Sequence, residues 1–401
     1  MQPQASYHLP DYIPKNLIFD FDIYHDPRVT SDVHNTYETL HRDAPDVFYT
    51  PRNGGHWMIM RYDLITEVVR DPEHFSAKEM SIPRVPNPVP MIPLNLDPPV
   101  SIPYRQALMP YFAPKTVAAM EGKVREWAIK IIDKVVAKGE CDFVQDVSAL
   151  FPVSIFMELM GLPLERLYEL RALADEFFEA RSQESINTCA AKIYGLLGEQ
   201  LELKKTAPKQ DLISYLISVD VSGRKLSTDE ILNMCFVIFL GGMDTVTNVA
   251  AFSFREFAKD AALQKRIAGD LSLVPKFVDE SLRCFGVVNT PRIVAKDIDK
   301  FGAPFRVGDM VLNCLPMAGR DERKNADPNK FDIDRKNPEI LIFSTGPHLC
   351  IGSLLARLEL RVLTEEWLKR IPSFTLKPNV EYAVRLGTVM GIMNLPLQWD
   401  K

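Results

Sequence analysis

The chain of 401 residues has six cysteines but no Cys-x-x-Cys pair. Cys141, Cys189, Cys235, Cys284, Cys314 and Cys350 are scattered, which speaks against a zinc site or a disulfide frame and suits reduced thiols. There is no long basic run, and the net charge is −6, so no nucleic-acid partner is expected. Internal repeats and low-complexity tracts are missing as well. The first ten residues have neither a basic n-region nor an apolar h-region. No apolar run approaches the roughly 18 residues of a membrane span. The expectation is a soluble, cytoplasmic protein that does not contact a membrane. Hydrophobic content of 46% with 25% charged residues is ordinary for a globular enzyme with a large core. No shift in composition marks a boundary, so a single domain over 1–401 is expected.

Helical periodicity fills most of the chain. It predicts helices over 34–41, 61–70, 114–138, 150–160, 164–178, 187–205, 211–218 and 227–258. Short strands are predicted near 54–60, 305–313 and 382–389, toward the chain ends. The fold class is therefore mainly α with a small β region. Residues 81–99 hold seven prolines, which exclude a regular helix. A domain linker would be solvated, whereas Ile82, Val89, Met91, Ile92, Leu94 and Leu96 suit an ordered loop folded over a cavity.

The stretch 343–352 is where chemistry concentrates. Cys350 lies between Gly346 and Gly352, with Phe343 and His348 before it, and a helix is predicted from Ser353 on. A cysteine beside a helix N-terminus is favoured as thiolate. The glycines leave room for a flat partner close to the backbone. Such a thiolate suits the axial position of a haem iron. A single cysteine taken alone is more often a small buried hydrophobe; the spacing of its neighbours reverses that judgement.

A second concentration lies in the longest helix. Ser227 is its expected N-cap, with Glu230 three residues on. The run 231–240 is apolar nearly all round, and Gly241-Gly-Met-Asp-Thr245 interrupts it. Two buried glycines cost about 1 kcal/mol each relative to alanine. One account is helix–helix packing through the Gly241–Gly242 pair, with an incidental polar pair beside it. The other is close approach of a flat ring that leaves room for a diatomic ligand. Thr245 can bond the Gly241 carbonyl and open the helix ladder. Asp244 beside it would then serve a proton relay.

Phe343, Gly346, His348, Cys350 and Gly352 match a pattern that resembles the haem-binding signature of the cytochrome P450 superfamily. Gly241-Gly-x-Asp-Thr245 resembles that superfamily's oxygen-activation motif with its acid and alcohol intact. The likeness runs along most of the chain and is closest to the soluble bacterial camphor-hydroxylating group, notably at 17–24, 54–57, 92–99 and 395–400. It implies a single-domain cytochrome P450 fold of the unanchored bacterial type, enclosing haem b (iron protoporphyrin IX) between the glycine-interrupted helix and the Cys350 loop. Cys350 would be the axial ligand, with Gly241, Gly242, Phe343, Gly346 and Gly352 about the ring. Arg105, Arg292 and His348 would hold the propionates. Asp244 and Thr245 would govern proton delivery to O2. Glu280, Arg283 and Arg335 would form a structural ion cluster.

The resemblance also implies electrons from a [2Fe–2S] ferredoxin and its flavoprotein reductase, docking on a basic face with Arg105, Arg357 and Arg361 as candidates. The enzyme is expected to be a monomer. One departure stands out: where the camphor-binding pattern has a tyrosine, this chain has Val89-Pro-Met91, and 81–99 holds no tyrosine at all. A site without that polar anchor relaxes its choice of substrate. The expected pocket is apolar, lined by Val89, Met91, Val237, Leu240, Val288, Thr388 and Val389, and suits a cyclic terpenoid or norisoprenoid. Camphor is expected to be poor. A haem-thiolate peroxygenase and a non-catalytic haem sensor or carrier are the rival readings.

Overall fold

The computed structural model describes residues 9–29, 33–85, 89–180 and 182–400. The reading of 1–8 as free of a leader, and residues 86–88 of the proline-rich loop, lie outside the described residues. Contacts divide the chain into two compact units, each assembled from separated stretches.

The first unit comprises Met1–Pro88, Asp279–Cys350 and Val384–Gly391. Its centre is a five-stranded sheet in the order Val47–Thr50, His56–Ile59, Met310–Asn313, Thr290–Val294, Phe75–Ser76. His56–Ile59 pairs antiparallel with Val47–Thr50 and parallel with Met310–Asn313. Because side chains alternate along a strand, Trp57, Ile59 and Val311 face one core with Phe75 and Phe305. Met58 and Leu312 face a second core with Phe48 and Met317. The helix Tyr62–Val69 covers the first face through Ile65, Val68 and Val69, and the helix Val33–Asp43 covers the second through Val33, Tyr37 and Leu40. Both faces are therefore dry, and the strands read as unbroken apolar runs instead of alternating ones. Thr290–Val294 escaped the periodicity for a different reason: it reads Thr-Pro-Arg-Ile-Val, and a proline and a buried arginine at its centre hide the strand.

The second unit comprises Val89–Val278, Ile351–Ala383 and Ile392–Lys401. Helices Glu121–Val136, Leu150–Met160, Thr228–Met243, Thr245–Phe257 and Ser353–Arg370 build it. An aromatic cluster ties the last two together: Phe143 stacks on Phe254 at 4.2 Å, and both meet Trp367 edge-on at 5.2 and 5.5 Å. A three-stranded sheet of Glu140–Asp142, Pro396–Gln398 and Thr375–Leu376 completes the unit.

The expected helices are present with shifted or divided bounds. The run 114–138 splits into Pro114–Ala119 and Glu121–Val136, and 187–205 extends to Gln183–Thr206. The strand expected over 305–313 is two strands, Ala303–Phe305 and Met310–Asn313, separated by a turn at Gly308 with φ 94°. Within 382–389 only Val384–Arg385 is strand. Thr228–Phe257 is long and apolar enough to cross a membrane, but 72% of its apolar window is buried inside the protein. Its hydrophobicity serves the core of the second unit, packed against Leu150–Met160 and Gln183–Thr206.

Candidate active site

In the first unit the chain around Cys350 is a short, tightly bonded loop. The Cys350 N–H donates to the Phe343 carbonyl at 2.9 Å, Ser344 N–H to Leu341 at 2.8 Å, and Leu349 N–H to Gly346 at 3.1 Å. The Arg70 guanidinium holds Thr345 Oγ1 at 2.7 Å. Gly346 has φ +68°, and a Cβ there would lie 2.9 Å from Arg70 Cγ, so only glycine makes this turn without strain. Two residues after Cys350, Gly352 caps the helix Ser353–Arg370. Cys350 is exposed, whereas the other five cysteines are buried. Burial pushes those five thiols up, Cys284 to about 11 and Cys314 to about 12, so they stay protonated at neutral pH. Cys350 is thus the one thiol placed to act as a ligand.

His348 is buried just upstream. Arg292 is 3% exposed, in the strand Thr290–Val294, and donates to the Pro291 carbonyl at 2.7 Å. The same unit brings Val288, Thr388 and Val389 together. Val288 bridges Val389, and the Asn289 N–H donates to the Thr388 carbonyl at 2.8 Å. Glu280, Arg283 and Arg335 also meet here. Arg283 Nη2 lies 2.7 Å from Glu280 Oε1, and Arg335 Nε lies 3.3 Å from the same oxygen. Arg283 further donates to the carbonyls of Gly319 and Pro328, and the Asp332 N–H to Glu280 at 2.9 Å. A buried ion pair needs such additional bonds to offset its desolvation. This cluster straps the segment 319–335 to its helix.

In the second unit the long helix starts as its sequence directs. Ser227 Oγ accepts from the Glu230 N–H, and the Glu230 carboxylate accepts from the Ser227 N–H at 2.7 Å. The helix breaks at Asp244 and resumes at Thr245. Thr245 Oγ1 donates to the Gly241 carbonyl at 2.7 Å, taking that carbonyl out of the backbone ladder. Asp244 is 3% exposed, and its carbonyl accepts from the Asn248 side chain at 2.8 Å.

The glycine pair distinguishes the two accounts of the interruption. A Cβ at Gly241 would meet nothing within 4 Å, and one at Gly242 only Phe156 Cδ2 at 3.8 Å. No close helix–helix contact requires these glycines. Gly241 is exposed, and Val237, Leu240 and Thr245 on the same helical face are half-buried, while Phe236, Ile238 and Phe239 are buried. An uncovered stripe on an apolar core helix fits a flat apolar group laid against it. The accessible thiol of Cys350 suits a metal ligand, and the stripe, within its own unit, suits a flat apolar group.

Arg105 is half-buried on the helix Ser101–Phe112 of this unit, and Val89 and Met91 are half-buried in the proline-rich loop. Arg361 is already committed, to Glu121 at 2.6 Å and Glu365 at 3.0 Å. Tyr194 and Asn233 escaped notice in the sequence, because nothing local marks two polar residues 39 positions apart as partners.

The comparisons with known proteins agree on one family. The model for "Cytochrome P450" matches residues 140–386. The chain is 29% identical to the probable cytochrome P450 127A1 of Sinorhizobium fredii, covering 98% of this chain and 97% of that one. It is 30% identical to a steroid C26-monooxygenase of Mycolicibacterium smegmatis, covering 84% and 86%. The crystal structure of CYP101J2 superposes with a TM-score of 0.90 at 34% identity, covering 98% of this chain and 100% of that one. That of CYP101C1 gives 0.91 at 30%, with the same coverage.

Proposed function

Because this chain belongs to the cytochrome P450 family, whose members bind haem b through a cysteine thiolate, we propose that Cys350 supplies that thiolate. The protein is a monooxygenase, an oxidoreductase that incorporates oxygen from O2. We propose further that its substrate is a small apolar cyclic compound, a terpenoid or norisoprenoid. Its electrons come from a [2Fe–2S] ferredoxin served by a reductase. When bound, the haem supplies O2 activation and insertion of one oxygen atom into a C–H bond, the other atom leaving as water.

The residues' own tasks follow from their chemistry. Cys350 is the exposed thiol among buried ones, and this observation carries the reading. Gly241 and Gly242 keep a helical face clear. Thr245 gives its proton to the Gly241 carbonyl, so its oxygen remains an acceptor beside the gap. Asp244, one residue away, holds a carboxyl that can pass a proton toward it. Arg105, Arg292 and His348 are the cations for the propionates, and Glu280, Arg283 and Arg335 keep the framework. Val89, Met91, Val237, Leu240, Val288, Thr388 and Val389 line the substrate's place. The protein works as a cytoplasmic monomer, its 401 residues forming one catalytic domain.

The test is the absorption spectrum of the reduced protein under carbon monoxide. Wild type should show the long-wavelength Soret band of thiolate-ligated haem, and Cys350→Ala should lack it. The same band in Cys350→Ala would overturn the assignment.

A further inference from the structure

The stripe on the long helix ends in a polar group that its apolar members do not explain. Asn233 is half-buried and precedes Val237, Leu240 and Gly241 by four, seven and eight residues, which puts all four on one helical face. The Tyr194 hydroxyl, from the helix Gln183–Thr206, donates to Asn233 Oδ1 at 2.5 Å. It also lies 3.3 Å from the Pro90 carbonyl, between Val89 and Met91. A hydroxyl has one proton to give, and the shorter contact takes it. Partial burial pushes this hydroxyl up to about 12, so it keeps that proton at any working pH. The Tyr194 ring is itself held, stacked on Phe236 at 4.7 Å and 12°.

Asn233 therefore has its oxygen occupied and its orientation set. Among the described residues, no acceptor meets its Nδ2. A donor amide at the end of an apolar strip is costly to cover with hydrocarbon and favourable to cover with an oxygen. Pockets for small molecules are built in this way, apolar with a few polar groups that set orientation.

We propose that the Asn233 amide, held by Tyr194, is the polar contact that orients the substrate. The preferred substrate is then a compact apolar molecule carrying one hydrogen-bond-accepting oxygen, as ketone, ether or alcohol. This rests on the monooxygenase reading above and narrows its substrate class. Tyr194 is a positioning residue and Asn233 the specificity-determining one. The loop 81–99 lacks a tyrosine, and Tyr194 brings a hydroxyl to that loop from a different helix.

Calorimetric titration of the haem-loaded protein decides the matter, with β-ionone and its analogue bearing CH2 in place of the carbonyl. Asn233→Leu should weaken the ketone roughly fivefold, the worth of one neutral hydrogen bond. The hydrocarbon should stay within about twofold. Tyr194→Phe keeps the stacked ring and frees the amide to rotate, so the ketone alone should lose affinity, by a smaller factor. An equal change for both ligands, or none for the ketone, would overturn the proposal. If Asn233→Leu fails to hold haem, Asn233→Ala, which also has no donor, carries the same comparison. The carbon monoxide spectrum reports separately on the haem-thiolate reading, so a failure of either is recognisable.

Discussion

Glu359 carries a carboxyl into a part of the second unit that offers it little. It is 4% exposed on the helix Ser353–Arg370, and its Oε2 has no hydrogen-bond partner among the described residues. Burial pushes its pKa well above the ordinary carboxylate range. The folded protein then keeps a proton that the unfolded chain releases near pH ~4.3. Its contribution to stability is whole below that pH and is lost as pH rises toward the folded pKa. Glu359→Gln keeps the shape without the titration. Urea unfolding should show the variant gaining on wild type above pH ~4.5, by up to about 1.4 kcal/mol per pH unit. A gap that stays constant with pH would mean the carboxyl is charged and solvated. Thr245 is the other residue with a sharp consequence. Its hydroxyl bridge to Gly241 is the local chemistry of the helix break, so Thr245→Ala should keep substrate binding while product per O2 consumed falls several-fold. Oxygen-electrode and product assays run together measure it; unchanged coupling would remove Thr245 from proton delivery.

Among the elements, the helix Ser353–Arg370 has the most elaborate ionic support. Arg125 from Glu121–Val136 reaches Glu121 and Glu365 at 2.8 Å and Glu366 at 2.5 Å, and Arg370 reaches Glu366 at 2.7 Å and Asp133 at 2.6 Å. Burial alone would raise the Glu366 carboxyl, but bonds from Lys369, Arg125 and Arg370 outweigh it and hold it below the usual range. A depressed folded pKa stabilises above the unfolded pKa and stops doing so as pH falls through the folded one. Glu366→Gln should therefore cost about 1.5–3 kcal/mol at pH 7, the scale of hydrogen bonds to a charged group. In urea melts that cost should shrink steadily below pH ~4.5. A cost independent of pH would point to packing instead of charge. This helix was readable in outline, since Leu355, Leu358, Val362 and Trp367 recur at its period. Its ionic partners were not, because the ladder joins residues about 240 positions apart.

At the scale of the whole molecule, a net charge of −6 says nothing about where the positive residues lie. Arg361 looked available to a redox partner and is instead tied to Glu121 and Glu365. Docking of an acidic ferredoxin would then fall to cations such as Arg105 and Arg357. Ferredoxin-driven turnover should drop as salt rises from about 50 to about 400 mM, as screening shortens the reach of surface charge. Steady-state rates against ionic strength test this, and a flat profile would mean an apolar docking face. Peroxide alone should support far less turnover than the ferredoxin system. Matching rates would favour the peroxygenase reading.

Local sequence was enough for several features. Proline density set the irregular course of 91–99, the Ser227–Glu230 pair set a helix start, and Gly241, Asp244 and Thr245 marked a helix break. Each depends on neighbours within a turn or two, where backbone sterics and one hydrogen bond decide. The tertiary structure alone decided the rest. Thr228–Phe257 has the composition of a membrane span, and only burial against its neighbours makes it a core helix. Strands covered on both faces lose the alternation that would announce them. Gly241 and Gly242 could have been packing glycines until the space beside them was seen to be open. The bond between Tyr194 and Asn233 arises where two helices and a loop cross. Such contacts depend on chain reversal and close packing between distant segments, which no local pattern records.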